Sequence, residues 1–427
     1  MSLDFRTLTP FMNKFFPFAI SSFGQPISFL SKKITAKIKY MQCFRVVSLK
    51  PEQPSQGNVL ISYRIEPFFL KPGEPIPNDH TWYWECLQIA QTFLELGYCV
   101  DVIQFYNHKF VPKKEYAFFV DIRYRLEPLS PLLNQDCIKI LHSDTAHTLF
   151  HNTAELNRLL ALQQRKGITL NPRRFEPINF AIEHADCAIV LGNEFTINTF
   201  SYAKKPIYRV PISTPEVYPW PEEKDFDACR KSFLWFGSGG LVHKGLDLVL
   251  DAFAEMPDYH LIICGPVNKE KDFEKAFYKE LYQTSNIHTF GWINISSPKF
   301  LEIANSCLGI VYPSCSEGGG GGVITCMHAG LIPIVSYESS VDVHDNFGVI
   351  LKESSVEEIK NSIQMVANLP ASQLKNMARK AWEFARNNHT REKFAESYRN
   401  TIEKIITNHC NQEKDNQTWA TEKLLVS

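Results

Sequence analysis

No charge of either sign prevails in this 427-residue chain, where 45 Lys and Arg stand against 46 Asp and Glu for a formal net charge of −1. That balance provides no basic footprint, and no nucleic-acid partner is expected. The eleven cysteines run from Cys43 to Cys410, odd in number and without a Cys-x-x-Cys pair. A disulfide-framed secreted domain and a structural zinc site both need spacings that are missing. Most cysteines sit in apolar stretches (Cys99, Cys187, Cys264, Cys307), as small buried hydrophobes do, and a reducing compartment is expected. No run approaches the roughly 18 consecutive apolar residues of a membrane span, so no transmembrane helix is expected.

What is present suits a globular protein. Hydrophobic residues make up 44% and charged residues 21%, and the length predicts two or three domains. Residues 1–45 stand apart: seven Lys and Arg face Asp4 alone, interleaved with phenylalanines from Phe5 to Phe29. Such a stretch suits an anionic membrane surface. A disordered extension, or a true start at Met41, is the bland alternative. Pro10, Pro17 and Pro26 interrupt any long helix, and a clean apolar core with a cleavage site, as in a signal peptide, is missing.

From Gly57 on, strand-like and helix-like segments alternate. Asn58–Ile65 predicts a first strand, and Thr81–Leu96 a helix with Asn78 or Asp79 placed to cap it and Gly97 to end it. Cys99–Phe105, Tyr116–Asp121, Cys137–His142 and Cys187–Leu191 predict further strands, with a helix at His147–Gln164. Four prolines and a cluster of acids then give Pro211–Cys229 the composition of a linker. Its Asp225-Phe226-Asp227 has the spacing of a metal–diphosphate site but no preceding apolar strand, so it reads as solvated surface. The alternation restarts at Phe233 and ends in helices, the last at Glu392–Ile406. This rhythm predicts an α/β fold of two parallel sheets, with a ligand cleft between their carboxyl ends.

Glycine is scarce, 20 residues in all, yet five are consecutive in Ser314–Gly330, SCSEGGGGGVITCMHAG. Following a strand and preceding a helix, such a run brings backbone amides and a helix N-terminus to an anion, diphosphate being the obvious guest. A flexible low-complexity loop is the alternative. Glu317 precedes the run, and a carboxylate, which only accepts hydrogen bonds, suits sugar hydroxyls. In Phe236–Gly245, FGSGGLVHKG, a strand ends in glycines and Lys244 stands before a helix, placed either to neutralise a leaving phosphate or simply on the surface.

Lys244-Gly245 followed by Leu246–Phe253, then Pro313-Ser314-x-Ser316-Glu317-Gly318, and Met327-His328-Ala329-Gly330-Leu331-x-Pro333 resemble the C-terminal half of glycosyltransferase group 1 (family 4), retaining nucleotide-sugar transferases of the GT-B fold. The resemblance covers residues 231–350, and the rhythm of 57–210 agrees more weakly. It implies two Rossmann-like domains with parallel sheets facing across a cleft and a C-terminal helix crossing back to the first domain. The implied organisation is a basic Phe-rich extension at 1–56, an acceptor-binding domain at 57–210, a linker at 211–230, a nucleotide-sugar-binding domain at 231–390, a crossing-back helix at 391–410 and a tail at 411–427.

The resemblance implies that Glu317 contacts the donor sugar. The second acid of the family's Glu-x7-Glu falls on Thr325, which offers the ribose a hydrogen bond but no charge. The arginine expected after the first-strand glycine is Ser238, leaving Lys244 as the only basic phosphate ligand of that motif. Either backbone amides compensate or the donor site is degraded, and amides at a helix terminus bind phosphate unaided. A histidine at a strand end is implied to face the sugar. His142 is best placed, then His147 and His80, each alternatively a capping or loop residue. Trp82, Tyr83 and Trp84 could line an acceptor groove or the core.

The expected catalytic residues are therefore Glu317, Lys244 and His142. Donor binding is expected from Gly237, Ser238, Gly239, Gly240, Lys244, Gly265, Ser316, Glu317, Gly318, Gly319, Gly320, Gly321, Gly322, Val323 and Thr325. The implied reaction moves a sugar from a nucleoside-diphosphate sugar to a hydroxyl of a saccharide or lipid-linked acceptor, with retention, no metal and no further cofactor. Cell-envelope polysaccharide or glycolipid synthesis, in the cytoplasm or peripherally on the inner membrane face, is the implied setting. A nucleotide-sugar epimerase or hydrolase, or a non-catalytic sugar-binding relic, competes with it.

Overall fold

A computed structural model describes residues 41–426. Strands β1 (Val46–Leu49), β2 (Asn58–Tyr63), β3 (Cys99–Gln104), β4 (Phe118–Asp121), β5 (Ile138–Ser143), β6 (Cys187–Val190) and β7 (Ile207–Arg209) form one sheet in the order β1-β3-β2-β4-β5-β6-β7. A second sheet takes β8 (Ser232–Phe236), β9 (His260–Cys264), β10 (Ile287–Gly291), β11 (Gly309–Tyr312), β12 (Ile332–Ser336) and β13 (Val349–Leu351) in the order β10-β9-β8-β11-β12-β13. All pairings are parallel except that of β1 with β3. The central strands read as unbroken apolar runs because helices cover both faces of each sheet. Val59, Leu60 and Ile61 of β2, and Ile310 and Val311 of β11, are fully buried.

Local chemistry sets the ends of the helices. In the first domain α1 spans Trp82–Glu95, α2 Thr148–Lys166 and α3 Glu194–Phe200. Asn193 caps α3 by accepting from the Phe195 amide, and α2 closes at Gly167 with φ 68°. The expected capping of α1 by Asn78 or Asp79 does not occur. His80 Nδ1 accepts from the Trp82 amide at 3.2 Å, while Asn78 reaches across to Asn294 and Ser296 of the second domain. In the second domain α4 is Leu246–Ala254, α5 Gly321–His328, α6 Val356–Ala367 and α7 Ala371–Asn388, and α8 runs from Arg391 to Val426.

Three boundaries differ from the sequence reading. The first sheet begins at Val46, inside the segment 1–56 assigned to an extension, because β1 is an edge strand pairing antiparallel with β3. Its exposure alternates along the strand, so it lacks the apolar run that marks the inner strands. The membrane-contact reading of 1–45 lies almost wholly outside the described residues. The segment 211–230 is packed, not free: Tyr218, Trp220, Phe226 and Cys229 are buried, and Trp220 stacks on Phe226. Within it Asp225 Oδ1 accepts from the amides of Asp227 and Ala228, a turn-closing role. The crossing-back helix is longer than 391–410. It returns to the first domain, with Phe394 edge-on to Trp84 and Arg399 paired to Glu95.

In each sheet the strand order reverses beside its first parallel strand, between β2 and β4 and between β8 and β11. These are the switch points at which open α/β sheets hold ligands, outside the carboxyl ends of the strands.

Candidate active site

A cavity of about 580 Å³ lies between the two sheets. The first domain contributes Asn78, His80, Thr81, Trp82, Asp144 and Arg174. The second contributes the turn Gly237–Gly239, Lys244, Trp292, Asn294, Tyr312, Glu317, Gly318–Gly322 and Thr325. The volume falls in the range of roughly 300–1,000 Å³ common for small-molecule sites.

At its floor, Lys244 and Glu317 come together from the ends of β8 and β11. Lys244 Nζ lies 2.5 Å from Glu317 Oε1 and donates to the Tyr312 hydroxyl at 2.8 Å. The same carboxylate oxygen accepts from Tyr312 at 2.8 Å and Ser314 at 3.0 Å. Burial alone would raise the Glu317 pKa, but Lys244, His243 and Arg174 overcome it and hold the group well below the usual carboxylate range. Burial lowers the Lys244 pKa, with Glu317 opposing.

The glycine run is shaped by what presses on it. A Cβ on Gly318 would stand 2.1 Å from the Asp144 carbonyl oxygen, so the run touches the first domain backbone to backbone. Gly320 has φ 58° and caps α5, whose first two residues, Gly321 and Gly322, line the cavity where the opening amides of a helix lack partners within it. Those amides and the helix dipole favour an anion beside Lys244.

Residues 230–384 match the family described as Glycosyl transferases group 1. Over those residues the second domain is similar to group 1 glycosyltransferases. No curated protein matches the chain by sequence. Among solved structures, HepE from Anabaena in complex with UDP is 12% identical at TM-score 0.53, over 83% of this chain and 100% of that one. The α,α-trehalose 6-phosphate synthase of Burkholderia multivorans is 9% identical at TM-score 0.56, over 86% and 99%. A variant of S. aureus TarM, in complex with fondaparinux, α-GlcNAc-glycerol and UDP, is 13% identical at TM-score 0.50 over 69% of this chain. This chain spans 57% of the length of TarM. At these identities the likeness is one of fold, and that fold is GT-B.

Within the second domain the expected donor residues divide. Gly237, Ser238, Gly239, Lys244, Glu317, Gly318–Gly322 and Thr325 line the cavity. Four do not. The Gly240 amide is taken by Glu270 at 2.5 Å. Gly265 lies against Trp235 and the Gly237 carbonyl, where a Cβ would meet atoms at 2.7 and 2.8 Å. Val323 is fully buried on the core side of α5. Ser316 is buried; its hydroxyl lies 3.1 Å from His151 Nδ1 and its carbonyl accepts from His243 Nε2 at 2.6 Å. The Thr325 hydroxyl donates to the Gly321 carbonyl at 2.9 Å.

His142 is the clearest correction among the catalytic candidates. Side chains alternate along β5, so His142 shares a face with Ile140 and is buried between Tyr63 and Tyr398, with neither ring nitrogen hydrogen-bonded. Burial pushes its pKa down to about 4. His147 caps α2 and lies 3.0 Å from the Tyr202 hydroxyl. His80 is the histidine that lines the cavity, its ring 3.9 Å from that of Trp82. Enclosure by the cleft walls lowers its pKa, with Asp144 opposing. Asp144 is itself paired with Arg123 at 3.1 Å and lies below its ordinary pKa; burial opposes that shift and Arg123 outweighs it.

Of the three first-helix aromatics, Trp82 faces the cavity beneath the Arg64 guanidinium, whereas Trp84 packs on α8. Sequence reasoning passed over Asp144, Arg174, Tyr312, Trp292 and Asn294. Asp144 follows the Ser143 that ends β5, a position at which acids are worth testing, but Arg174 carries no local signal. Among the described residues no three His, Cys, Asp or Glu side chains converge to hold a metal ion, and no helix is long and apolar enough to cross a membrane.

Proposed function

We propose that the chain transfers a sugar from a nucleoside-diphosphate sugar to a hydroxyl acceptor, with retention of anomeric configuration. The observation that carries this reading is the convergence of Lys244, Glu317 and the amides at the start of α5 at the switch point of the second domain. As the bond between the sugar and the diphosphate breaks, negative charge grows on the leaving phosphate. Lys244 and the Gly318–Gly322 amides meet it with fixed positive charge in a site that excludes water.

In this reading the diphosphate displaces Glu317 as the partner of Lys244, and the freed carboxylate accepts from donor-sugar hydroxyls. Thr325 takes the place of the second acid near the ribose. The acceptor enters from the first domain, past His80, Trp82 and Asp144, whose polar edges offer its hydroxyls hydrogen-bond partners. The leaving phosphate takes the acceptor proton, so no separate protein base is assigned. The charge is balanced by the chain's own cations and amides, without a metal. The acceptor is proposed to be a saccharide or lipid-linked saccharide of the cell envelope, approached from the cytoplasmic side. The complexes of HepE with UDP and of TarM with UDP and a sugar–glycerol support a nucleotide-sugar donor.

The test is the product. With a matched donor and acceptor, proton NMR of the first turnovers should show the donor's anomeric configuration in the new linkage. An inverted anomer would contradict retention, and an isomerised nucleotide sugar formed without acceptor would assign the chain to epimerase chemistry.

A further inference from the structure

The turn after β8 is already engaged. Its Gly240 and Leu241 amides are held by the Glu270 carboxylate at 2.5 and 3.3 Å, and Ser238 brings no charge. A leaving diphosphate carries more negative charge than one ammonium offsets, even once it has displaced Glu317 from Lys244.

The first domain supplies a further cation. Arg174 follows α2 and lines the same cavity as Lys244, Glu317 and Gly318–Gly322. Its backbone is clamped on both sides. The Arg174 amide donates to the two Glu155 oxygens at 2.8 and 3.0 Å, and its carbonyl accepts from His151 Nε2 at 2.8 Å. His151 in turn lies 3.1 Å from the Ser316 hydroxyl, beside Glu317.

The side chain then crosses between domains. A Cβ on Gly240 would come within 2.4 Å of Arg174 Cγ and 2.9 Å of its Cδ, so only glycine leaves room for the passing stem. Arg174 Nε is buried with no hydrogen-bond partner. Arg123, also of the first domain, is by contrast held by Asp144 and Glu176 at 3.1 and 2.6 Å. An arginine with a fixed backbone and an unpaired head in a cavity is a fork set for phosphate oxygens.

We propose that Arg174 is the second cation of the donor diphosphate site, gripping phosphate oxygens opposite Lys244 and supplying the charge that Ser238 lacks. The inference rests on the nucleotide-sugar reading above. A diphosphate held by Lys244 of one domain and Arg174 of the other ties donor binding to domain closure.

Titration calorimetry with UDP, GDP and ADP, and with the matching monophosphates, tests it on the wild-type chain and on Arg174→Ala, Arg174→Gln and Arg174→Lys. Melting temperatures identify the variants that remain folded, and the polar Arg174→Gln serves if Arg174→Ala does not. For the diphosphate that the wild type binds, loss of the guanidinium should weaken affinity about 10- to 100-fold, the usual value of a charge-assisted hydrogen bond. The monophosphate should lose far less, and Arg174→Lys should fall between. Unchanged diphosphate affinity, or an equal loss for the monophosphate, would overturn the assignment of Arg174. Failure of the wild type to bind any nucleoside diphosphate would instead overturn the donor reading beneath it.

Discussion

Lys244 and Glu317, 73 residues apart in sequence, meet at 2.5 Å where the strand order of the second sheet reverses. Lys244 is 4% exposed, so the pair is kept largely from water. Removing one member of such a pair leaves the other charge buried and alone, which costs about 3–5 kcal/mol. Lys244→Ala should therefore lower stability by up to that amount as well as abolish turnover. The double variant Lys244→Met with Glu317→Gln should recover most of the stability and none of the activity. Denaturant unfolding and a turnover assay separate the two effects.

The contact between the glycine run and the first domain is as sharp. An alanine at 318 would place its Cβ 2.1 Å from the Asp144 oxygen and 2.3 Å from the Thr145 nitrogen. Neither backbone atom can give way cheaply, so Gly318→Ala should push the domains apart and cost about 1–3 kcal/mol, as overpacking does. At Gly321 the nearest atom is Ile212 Cδ1 at 3.6 Å, an ordinary contact. Gly321→Ala should keep wild-type stability. Melting curves, with small-angle scattering for the domain separation, distinguish the pair.

His142 and His80 should exchange the importance that their sequence contexts suggest. His142 is buried with both ring nitrogens unpartnered, a state that costs about 1–3 kcal/mol. His142→Leu should raise the melting temperature and leave turnover near the wild-type rate. His80→Ala, on the cavity wall, should lower turnover with little change in stability.

Glu85 makes the fold sensitive to pH. It is fully buried in α1 and accepts from the Ser213 amide and hydroxyl at 3.1 and 2.8 Å, joining α1 to the segment between the domains. Burial raises its pKa to about 7, against the opposing hydrogen bonds of Ser213 and Thr81. The folded state thus holds a proton that the unfolded chain has released above its ordinary carboxyl pKa. Stability should fall as pH rises from about 4.5 to about 7, by roughly 3 kcal/mol, and level off above. Glu85→Gln keeps an acceptor for Ser213 and should remove that slope. Urea midpoints between pH 5 and 8 measure it.

The second half of the site is legible locally because its parts follow consecutive strands: Gly237–Gly239 and Lys244 after β8, Glu317 and the glycines after β11. Each sits within a few residues of a strand end that the apolar run announces. Arg174 and Asp144 reach the same cavity only through the packing of one domain on the other, which no spacing along the chain records. His142 shows another limit. Its strand is readable, but which face of a doubly covered sheet it occupies depends on register and on Tyr398 of α8. The edge strand β1 escapes because half of its side chains face water, and the Pro-rich segment 211–230 because its buried aromatics find partners, such as Trp382, far away in sequence.

The most direct measurement is release of free nucleoside diphosphate from a panel of nucleotide sugars, on the wild-type chain and Glu317→Ala side by side. Slow release from one donor, accelerated by an acceptor and lost in Glu317→Ala, is the result this account predicts. No release from any donor, with no shift in melting temperature on adding donors or diphosphates, would contradict it and leave the chain a sugar-binding relic of the group 1 fold.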